Sequence, residues 1–252
     1  MEDLSYDIKQ DTWRFELKYR ISMLEYYKLR IAILPFMKRD YYTQIAPQKR
    51  YLVRSLYYDT YDYRAYHEKM NGDQDRIKFR LRTYFKNIND NQGIRVEMKV
   101  RKGNAMEKHG VVISADDYRF FMNKKHWPDN TNPILHEFER YLHLWTLKPQ
   151  ILIQYYREGY EDRERDGLRI TFDHKVCGTH SDTLFPNSPA FFRNFQPHNV
   201  IMEIKCRHKQ PVWLRNLIRN YGLRWVANSK FSQGIQSARK DLYHPNGVVF
   251  IR

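Results

Sequence analysis

Ile77-Lys78-Phe79-Arg80-Leu81-Arg82-Thr83 decides how this chain is read. Apolar Ile77, Phe79 and Leu81 alternate with long cations at Lys78, Arg80 and Arg82, the period of a β-strand with one dry face and one charged face. Four further stretches repeat the device: Arg14-Phe15-Glu16-Leu17-Lys18, Val96-Glu97-Met98-Lys99-Val100, Leu168-Arg169-Ile170-Thr171-Phe172-Asp173 and Met202-Glu203-Ile204-Lys205-Cys206. One such strand is compatible with an ordinary wet surface. A set of them, polar on one side with Arg, Lys and Glu and little Ser or Thr, suggests a cavity lined for a polyanion and its metal.

Around these strands the punctuation is that of a mixed fold. Residues 13–20 read as a strand, and Ser22 with Glu25 has capping-box spacing. That predicts a helix to about Leu34, stopped by Pro35, which lacks the N–H a helix needs. Tyr41 to Gln48 reads as a loop, Tyr51 to Asp59 as a strand of β-favouring side chains, Thr60 to Met70 as a helix, and Asn71-Gly72-Asp73 as a turn. Strands are expected near 75–85 and 93–101 across the polar cluster Asn87 to Gly93, with a short one at Val111 to Ile113. Helices are expected from Ser114, with acids in the first turn where the dipole favours them, and from Asn132-Pro133 to about Thr146. Gln150 to Tyr156, 168–175 and 199–206 read as strands, and Glu161 to Asp166 as a solvated hairpin loop. Ser181 to Pro197 reads as an irregular surface loop or lid, and Pro211 to Tyr221 and about Ser232 to Leu242 as helices.

No internal repeat, low-complexity tract or linker interrupts the chain, so residues 1–252 read as one domain. At least seven strands joined mostly by short turns predict an antiparallel sheet. Closing such a sheet removes its edges and leaves an interior lined by alternate residues. The expectation is therefore an α+β fold: a closed barrel with a charged lumen and helices outside.

A formal net charge of +15 favours anionic partners, whether nucleic acid, phosphorylated small molecules, polyphosphate or an acidic membrane surface. Aromatic residues make up 15% of the chain, which excludes a disordered one. Cys177 and Cys206 stand far apart and outside metal-ligand spacing, as expected of inert thiols in a reducing compartment. The N-terminus lacks the basic region and apolar core of a signal peptide. No apolar run approaches the roughly 20 residues needed to span a bilayer. A cytoplasmic location is expected.

Arg80 and Arg82, two apart on one strand, project from the same face. Guanidinium forks match phosphate oxygens, so such a pair can hold consecutive phosphoryl groups; an exposed basic strand face reads the same way. Glu16 with Lys18, Glu97 with Lys99, and Glu203 with Lys205 form three Glu-x-Lys pairs. Cross-strand ion pairing accounts for any one of them. Inside a lumen the carboxylates would hold a divalent cation while the lysines neutralise phosphate, and oxygen ligands favour Mg²⁺ or Mn²⁺. The ten histidines show no ligand spacing. Asn228-Ser229-Lys230-Phe231-Ser232 sets a lysine at a helix start, either a phosphate contact or a solvated side chain beside a cap. No Gly-x-x-x-x-Gly-Lys-Ser/Thr or Gly-x-Gly-x-x-Gly occurs, which argues against P-loop or kinase chemistry.

Taken in order, the Arg14–Tyr19, Ser55–Asp59, Lys78–Arg82, Val96–Lys99, Tyr155–Arg157, Leu168–Ile170, Ile201–Lys205 and Ser229–Phe231 segments resemble the VTC domain. That is the polyphosphate polymerase domain of the vacuolar transporter chaperone complex, within the triphosphate tunnel metalloenzyme (CYTH-like) superfamily. The resemblance covers roughly residues 10–242. It implies a tunnel of eight antiparallel strands that binds ATP and Mn²⁺ or Mg²⁺, transfers the γ-phosphoryl group to a growing polyphosphate chain and releases ADP. Carried over by position, Lys18, Arg80, Arg82, Lys99, Arg157, Arg169 and Lys230 would grip phosphates. Tyr155, Lys205 and Ser229 would make further substrate contacts, and Glu203, with Glu16 and Glu97, would serve the metal.

One departure stands out: Arg14 occupies the first position of the superfamily's opening Glu-x-Glu-x-Lys pattern. One fewer carboxylate weakens a second metal site and favours the polymerase branch over the hydrolases. The regulatory domain and membrane spans of the eukaryotic complexes are not expected here, and a membrane partner is left open. Two other readings compete: a metal-dependent triphosphate hydrolase of the same fold, and a non-catalytic polyanion binder. Against the latter, and against specific nucleic-acid binding, stand Glu16, Glu97 and Glu203, which repel a phosphate backbone unless a metal intervenes.

Overall fold

Local chemistry sets the elements before any packing does. In the computed structural model, which describes residues 15–89, 93–103, 105–128, 131–164, 167–186, 192–195, 197–207 and 209–238, strand β1 (Phe15–Ser22) runs directly into helix α1 (Met23–Ile33). The junction is a complete capping box: Glu25 N–H donates to Ser22 Oγ at 3.2 Å and Ser22 N–H donates to Glu25 Oε2 at 2.7 Å. The same device opens α4 (Ala115–Lys124), with Ser114 and Asp117. Asn132 caps α5 (Pro133–Leu144), whose first residue is proline. These expectations hold. Trp13, Arg14 and the end of the last expected helix lie outside the described residues.

The described chain divides into two compact units, one from Ser55–Leu152 and His180–Pro189, the other from Arg14–Arg54, Ile153–Thr179 and Ala190–Arg252. In the first, β3 (Tyr51–Asp59) contributes its second half, followed by α3 (Arg64–Asn71), β4 (Arg76–Thr83), β5 (Ile94–Lys102) and β6 (Ala105–Ile113). The dry face of β4 presents Phe79 to α5, where its ring meets Phe138, Tyr141 and Trp145 at centroid distances of 5.3–6.0 Å. Trp127 stacks on Phe121 at 3.8 Å to complete this core.

In the second unit, β1 pairs antiparallel with β10 (Asn199–Cys206), and β10 with β8 (Arg169–Thr179). β7 (Lys148–Asp162) supplies its second half. Tyr19, Ile21, Ile170, Phe172, Met202 and Ile204 form the dry face. It is covered by Tyr26, Leu29 and Ile33 of α1 and by Leu214 of α6 (Val212–Asn220). The last helix is α7 (Lys230–Ala238).

The strands hydrogen-bond in the order β1-β10-β8-β7-β3-β4-β5-β6. Two short strands are added: β2 (Met37–Arg39) on β7 and β9 (Arg193–Asn194) on β8. The expected eight-stranded closed barrel is thus corrected to a ten-stranded antiparallel sheet that is not closed, since among the described residues β1 and β6 end the order without pairing. The reason lies at the edges. The outer edge of β1 is already taken by the chain at 225–228: Tyr19 bridges Trp225, and Val226 N–H donates to Lys18 O at 2.8 Å. On the outer strand β6, consecutive charged or polar residues Glu107, Lys108 and His109 blunt the edge.

Other boundaries also moved. The Tyr41–Gln48 loop contains a one-turn helix, α2 (Tyr41–Ile45), capped by Asp40, whose Oδ1 accepts Thr43 N–H at 2.8 Å. The helix expected from Thr60 starts at Arg64, because Asp59 and Thr60 turn their side chains onto its N–H groups. The strand placed at Val111–Ile113 has nine residues, and that placed at Gln150–Tyr156 has fifteen. Charge had disguised their outer ends. The strands at Tyr51–Asp59 and 199–206 match.

Gly159 in β7 is where backbone approach is closest. A Cβ there would overlap Asp40 Oδ2, and Asp40 cannot yield, since it caps α2 and its Oδ2 accepts Arg169 Nη2–H at 2.7 Å. Gly159→Ala is therefore expected to cost about 1–3 kcal/mol, read as a melting temperature several degrees below the parent.

Candidate active site

The alternation that defines each strand delivers its polar residues to one face, and in both units that face is charged. In the second unit, antiparallel register sets Lys18 opposite Glu203 and Glu203 opposite Thr171. The flanking row holds Glu16, Lys205 and Arg169. Glu203, 5% exposed, is the centre. Its Oε1 accepts Lys230 Nζ at 2.6 Å and lies 4.0 Å from Lys18 Nζ, while its Oε2 accepts Arg157 Nη2 at 3.1 Å. Arg157 is itself fixed by a two-pronged pair with Asp173, at 2.6 and 2.7 Å. Lys230 also reaches Asp173 Oδ2 at 2.6 Å. Tyr155 lies under both cations, its ring 5.2 Å from Arg157 Cζ and 4.8 Å from Lys230 Nζ.

Burial alone would push the Glu203 carboxyl up, but Lys230, Lys18 and Arg157 hold it well below the usual carboxylate value. Burial likewise opposes charge on Lys18, Arg157 and Lys230, and the attraction of Glu203, Asp173 and Glu16 outweighs it, so all three are held above their ordinary values. Glu203, Lys18, Arg157 and Lys230 therefore all stay ionised near neutral pH.

The first unit carries a different balance. Across β4, β5 and β6 one face presents Arg76, Lys78, Arg80, Arg82, Arg95, Lys99, Arg101 and Lys108, with Glu97 the one carboxylate among them. Lys78, Lys99 and Lys108 lie directly opposite one another in a single row. Glu97, 2% exposed, pairs with Arg80 Nε at 2.5 Å and Lys108 Nζ at 2.5 Å, with Arg82 Nε at 3.8 Å. Burial works against its charge, and the three cations keep its carboxyl well below the usual value. Arg80 donates onward to Tyr57 OH at 3.0 Å and Arg82 to Ser55 Oγ at 3.1 Å, so both guanidinium groups are held in place.

Of the residues expected from sequence, Lys18, Tyr155, Arg157, Glu203 and Lys230 meet in one group, with Glu16 joined through Lys18 at 2.9 Å. Arg80, Arg82 and Glu97 meet in the other, with Lys99 in the adjoining row. Lys205 and Arg169 share the row beside Glu203, but the Arg169 guanidinium is bound to Asp40. Ser229 receives Ser232 N–H at 3.3 Å and Ser232 Oγ at 3.1 Å, as a helix cap does.

The sequence reading missed Asp173 and Lys108. Asp173 was visible as the third polar position of the Arg169-x-Thr171-x-Asp173 alternation; Lys108 lay on a strand read too short. Asn228 was also missed: its carbonyl accepts Lys18 Nζ at 3.1 Å, while both polar atoms of its buried side chain lack a partner among the described residues, as does Thr171 Oγ1. Orphaned buried polar atoms beside Glu203 and Lys18 suit a site that takes a polar occupant.

Among the described residues no three His, Cys, Asp or Glu side chains could hold a metal unaided. Glu203 and Asp173, both in contact with Lys230, are hard oxygen donors, and with Glu16 they fit an ion of the Mg²⁺ type, which takes one or two carboxylates and completes its shell with phosphate oxygens and water. Glu97 also sits amid three cations but has no second carboxylate beside it on that face, which suits a carboxylate that orients Arg80 and Arg82.

Because the folded Glu203 takes up its proton only well below 4.5, its stabilisation is complete above about pH 4.5 and is lost as pH falls from there. Glu203→Gln leaves Lys230 and Arg157 with half their compensation buried. It should destabilise the ligand-free protein by about 3 kcal/mol at pH 7, with the gap in melting temperature to the parent shrinking below pH 4.5.

The comparisons with known proteins agree with this arrangement. Among solved structures, the fold is similar to a candidate adenylate cyclase from Bacillus halodurans, with a TM-score of 0.52 and 11% identity over 85% of this chain and 92% of that one. It is also similar to a candidate adenylyl cyclase from Hippeastrum, described as having a dominant triphosphatase activity, with a TM-score of 0.51 and 15% identity over 90% of this chain and 97% of that one. Both are likenesses of fold alone. Curated protein sequences offer no significant match. The family model of the VTC domain matches residues 13–239, nearly the whole sequence, and the chain therefore belongs to the VTC domain family.

Proposed function

We propose that this chain is a polyphosphate polymerase, transferring the γ-phosphoryl group of ATP to the end of a polyphosphate chain and releasing ADP. The observation that carries the proposal is the face of β4, β5 and β6, eight cations around one buried carboxylate. Like charges directly opposite on adjacent strands destabilise a sheet, so a row such as Lys78-Lys99-Lys108 calls for an anion with charge repeated along its length. A polyphosphate chain has that character; a single phosphate does not.

Phosphoryl transfer asks for positioning and for neutralisation of charge spread over the transferred group's oxygens, with little covalent work by the protein. Lys18, Arg157 and Lys230 are assigned to the triphosphate, with Tyr155 beneath two of them. Arg80, Arg82, Lys99 and Lys108 are assigned to polymer phosphates, Glu97 holding the two guanidinium groups in register. Lys205 and Arg169 would extend the first set, and Ser229 would act through the helix it caps. Glu203, with Asp173 and Glu16, would hold Mn²⁺ or Mg²⁺, which when bound supplies further neutralisation of the triphosphate. Among the described residues no helix is long and apolar enough to cross a membrane, and a membrane partner is not required for the transfer itself.

Triphosphate hydrolysis is the second reading. Water must be oriented and relieved of a proton, whereas the end of a polyphosphate is already an anion. Glu203 and Glu97 are held far below the usual carboxylate value, which makes them poor bases. That favours the phosphate acceptor over water.

Purified protein given ATP and Mn²⁺ should yield ADP together with a long anionic polymer; ADP matched by free phosphate, with no polymer, would sink the proposal in favour of hydrolysis. Arg80→Ala should lower turnover by about 10²–10³-fold, as judged by ADP release. A drop of only a few-fold with an altered salt dependence would indicate a diffuse polyanion binder.

A further inference from the structure

At the far end of the β4–β5 pair, where the charged face ends at Arg76 and Arg101, the first unit holds a cleft with a volume of about 180 Å³. Arg64, Arg76, Arg101 and Lys102 line it with the aromatic rings of Tyr141 and Trp145. Two carboxylates complete the lining, Glu68 and Asp75. Each is already engaged: Glu68 accepts Arg64 Nε at 2.7 Å, and Asp75 Oδ1 accepts Gly103 N–H at 2.9 Å. Arg64 in turn lies over the Trp145 ring, its Cζ 4.1 Å from the centroid.

Arg76 is the anomaly. It is 9% exposed and directly opposite Arg101 across the strands, yet among the described residues it makes no hydrogen bond or ion pair. Burial and then the neighbouring Arg101 disfavour its charge, only partly offset by Asp73 and Glu68. A guanidinium carries five N–H donors and stays protonated in proteins, and those of Arg76 open onto the cleft beside a second cation, where an anion would compensate both. Arg101 gives only Nε, to Gly103 O at 2.8 Å. Four cations against two carboxylates leave the lining at +2. A phosphate group, at about −1.5 to −2 near neutral pH, matches that excess, and its oxygens match paired guanidinium forks. The volume is several times the ~30 Å³ share of one water, enough for a phosphate with part of its hydration.

We infer that this cleft is a second anion site, taking a phosphate group between Arg76 and Arg101. Arg76 and Arg101 are the end pair of the eight-cation face of β4, β5 and β6, but neither is among the residues assigned to the triphosphate or to polymer phosphates. The phosphate comes either free, as orthophosphate, or as one unit of a polyphosphate.

Calorimetric titration of the nucleotide-free protein with orthophosphate and with tripolyphosphate tests it, on the parent, Arg76→Met and Arg80→Ala. The expected result is one class of binding weakened at least tenfold by Arg76→Met and retained by Arg80→Ala. Without anion, Arg76→Met should melt no lower than the parent, because the substitution removes one of two like charges directly opposite on adjacent strands. Saturation of that class by orthophosphate identifies the free ion as the occupant; response to tripolyphosphate alone identifies the polymer. Superimposable isotherms for the parent and Arg76→Met overturn the inference. Should Arg76→Met fail to fold, the same comparison with Arg101→Gln decides. A parent that makes no polymer but shows the Arg76-dependent class refutes the proposed function alone, and polymer synthesis without that class refutes this site alone.

Discussion

The organisation of this protein depends on buried carboxylates that hold several cations at once. Glu203 collects Lys18, Arg157 and Lys230, and Glu97 collects Arg80, Arg82 and Lys108. Removing a charge from water is expensive, and a pair repays that cost only when the geometry is good and the remaining donors are satisfied. Both clusters meet the condition: second partners such as Asp173, Tyr57, Ser55 and the Asn228 carbonyl fix the direction of the cations. Around Glu203, three cations are matched by Glu203, Asp173 and Glu16, whereas around Glu97 three cations share one acid and leave a surplus of positive charge.

That surplus links fold to chemistry. Each charged face exists because the opposite face of the same strands is dry and packed, beneath α1 and α6 in one unit and beneath α5 in the other. Preorganised cations stabilise transferred phosphate without reorganising during the reaction, and rigid strands keep them preorganised. The same logic explains why carboxylates so firmly ionised anchor cations and make poor bases.

The cleft beside Arg76 shows the converse case. There two guanidinium groups face each other without an acid between them, and the two acids nearby are bound to Arg64 and to a backbone N–H. The two charged faces carry carboxylates that each hold several cations, whereas this cleft does not.

Much was legible without coordinates. The period of two in Ile77–Thr83, 96–100 and 202–206 identified strands and the side chains that share a face, because alternation is a property of the extended backbone itself. Ser22 with Glu25 and Asn132 with Pro133 marked helix starts, since capping is satisfied within four residues. Tertiary structure decided the rest. Closure failed because the chain at 225–228 occupies the edge of β1, a contact more than 200 residues away in sequence. Asp173 stood on the charged face by its local alternation, but its meeting with Arg157 and Lys230, the contact of Lys18 with Asn228 and the turn of Arg169 to Asp40 are long-range contacts that no local pattern encodes. Local sequence determines which way a side chain points; only the paired strands determine what it meets there.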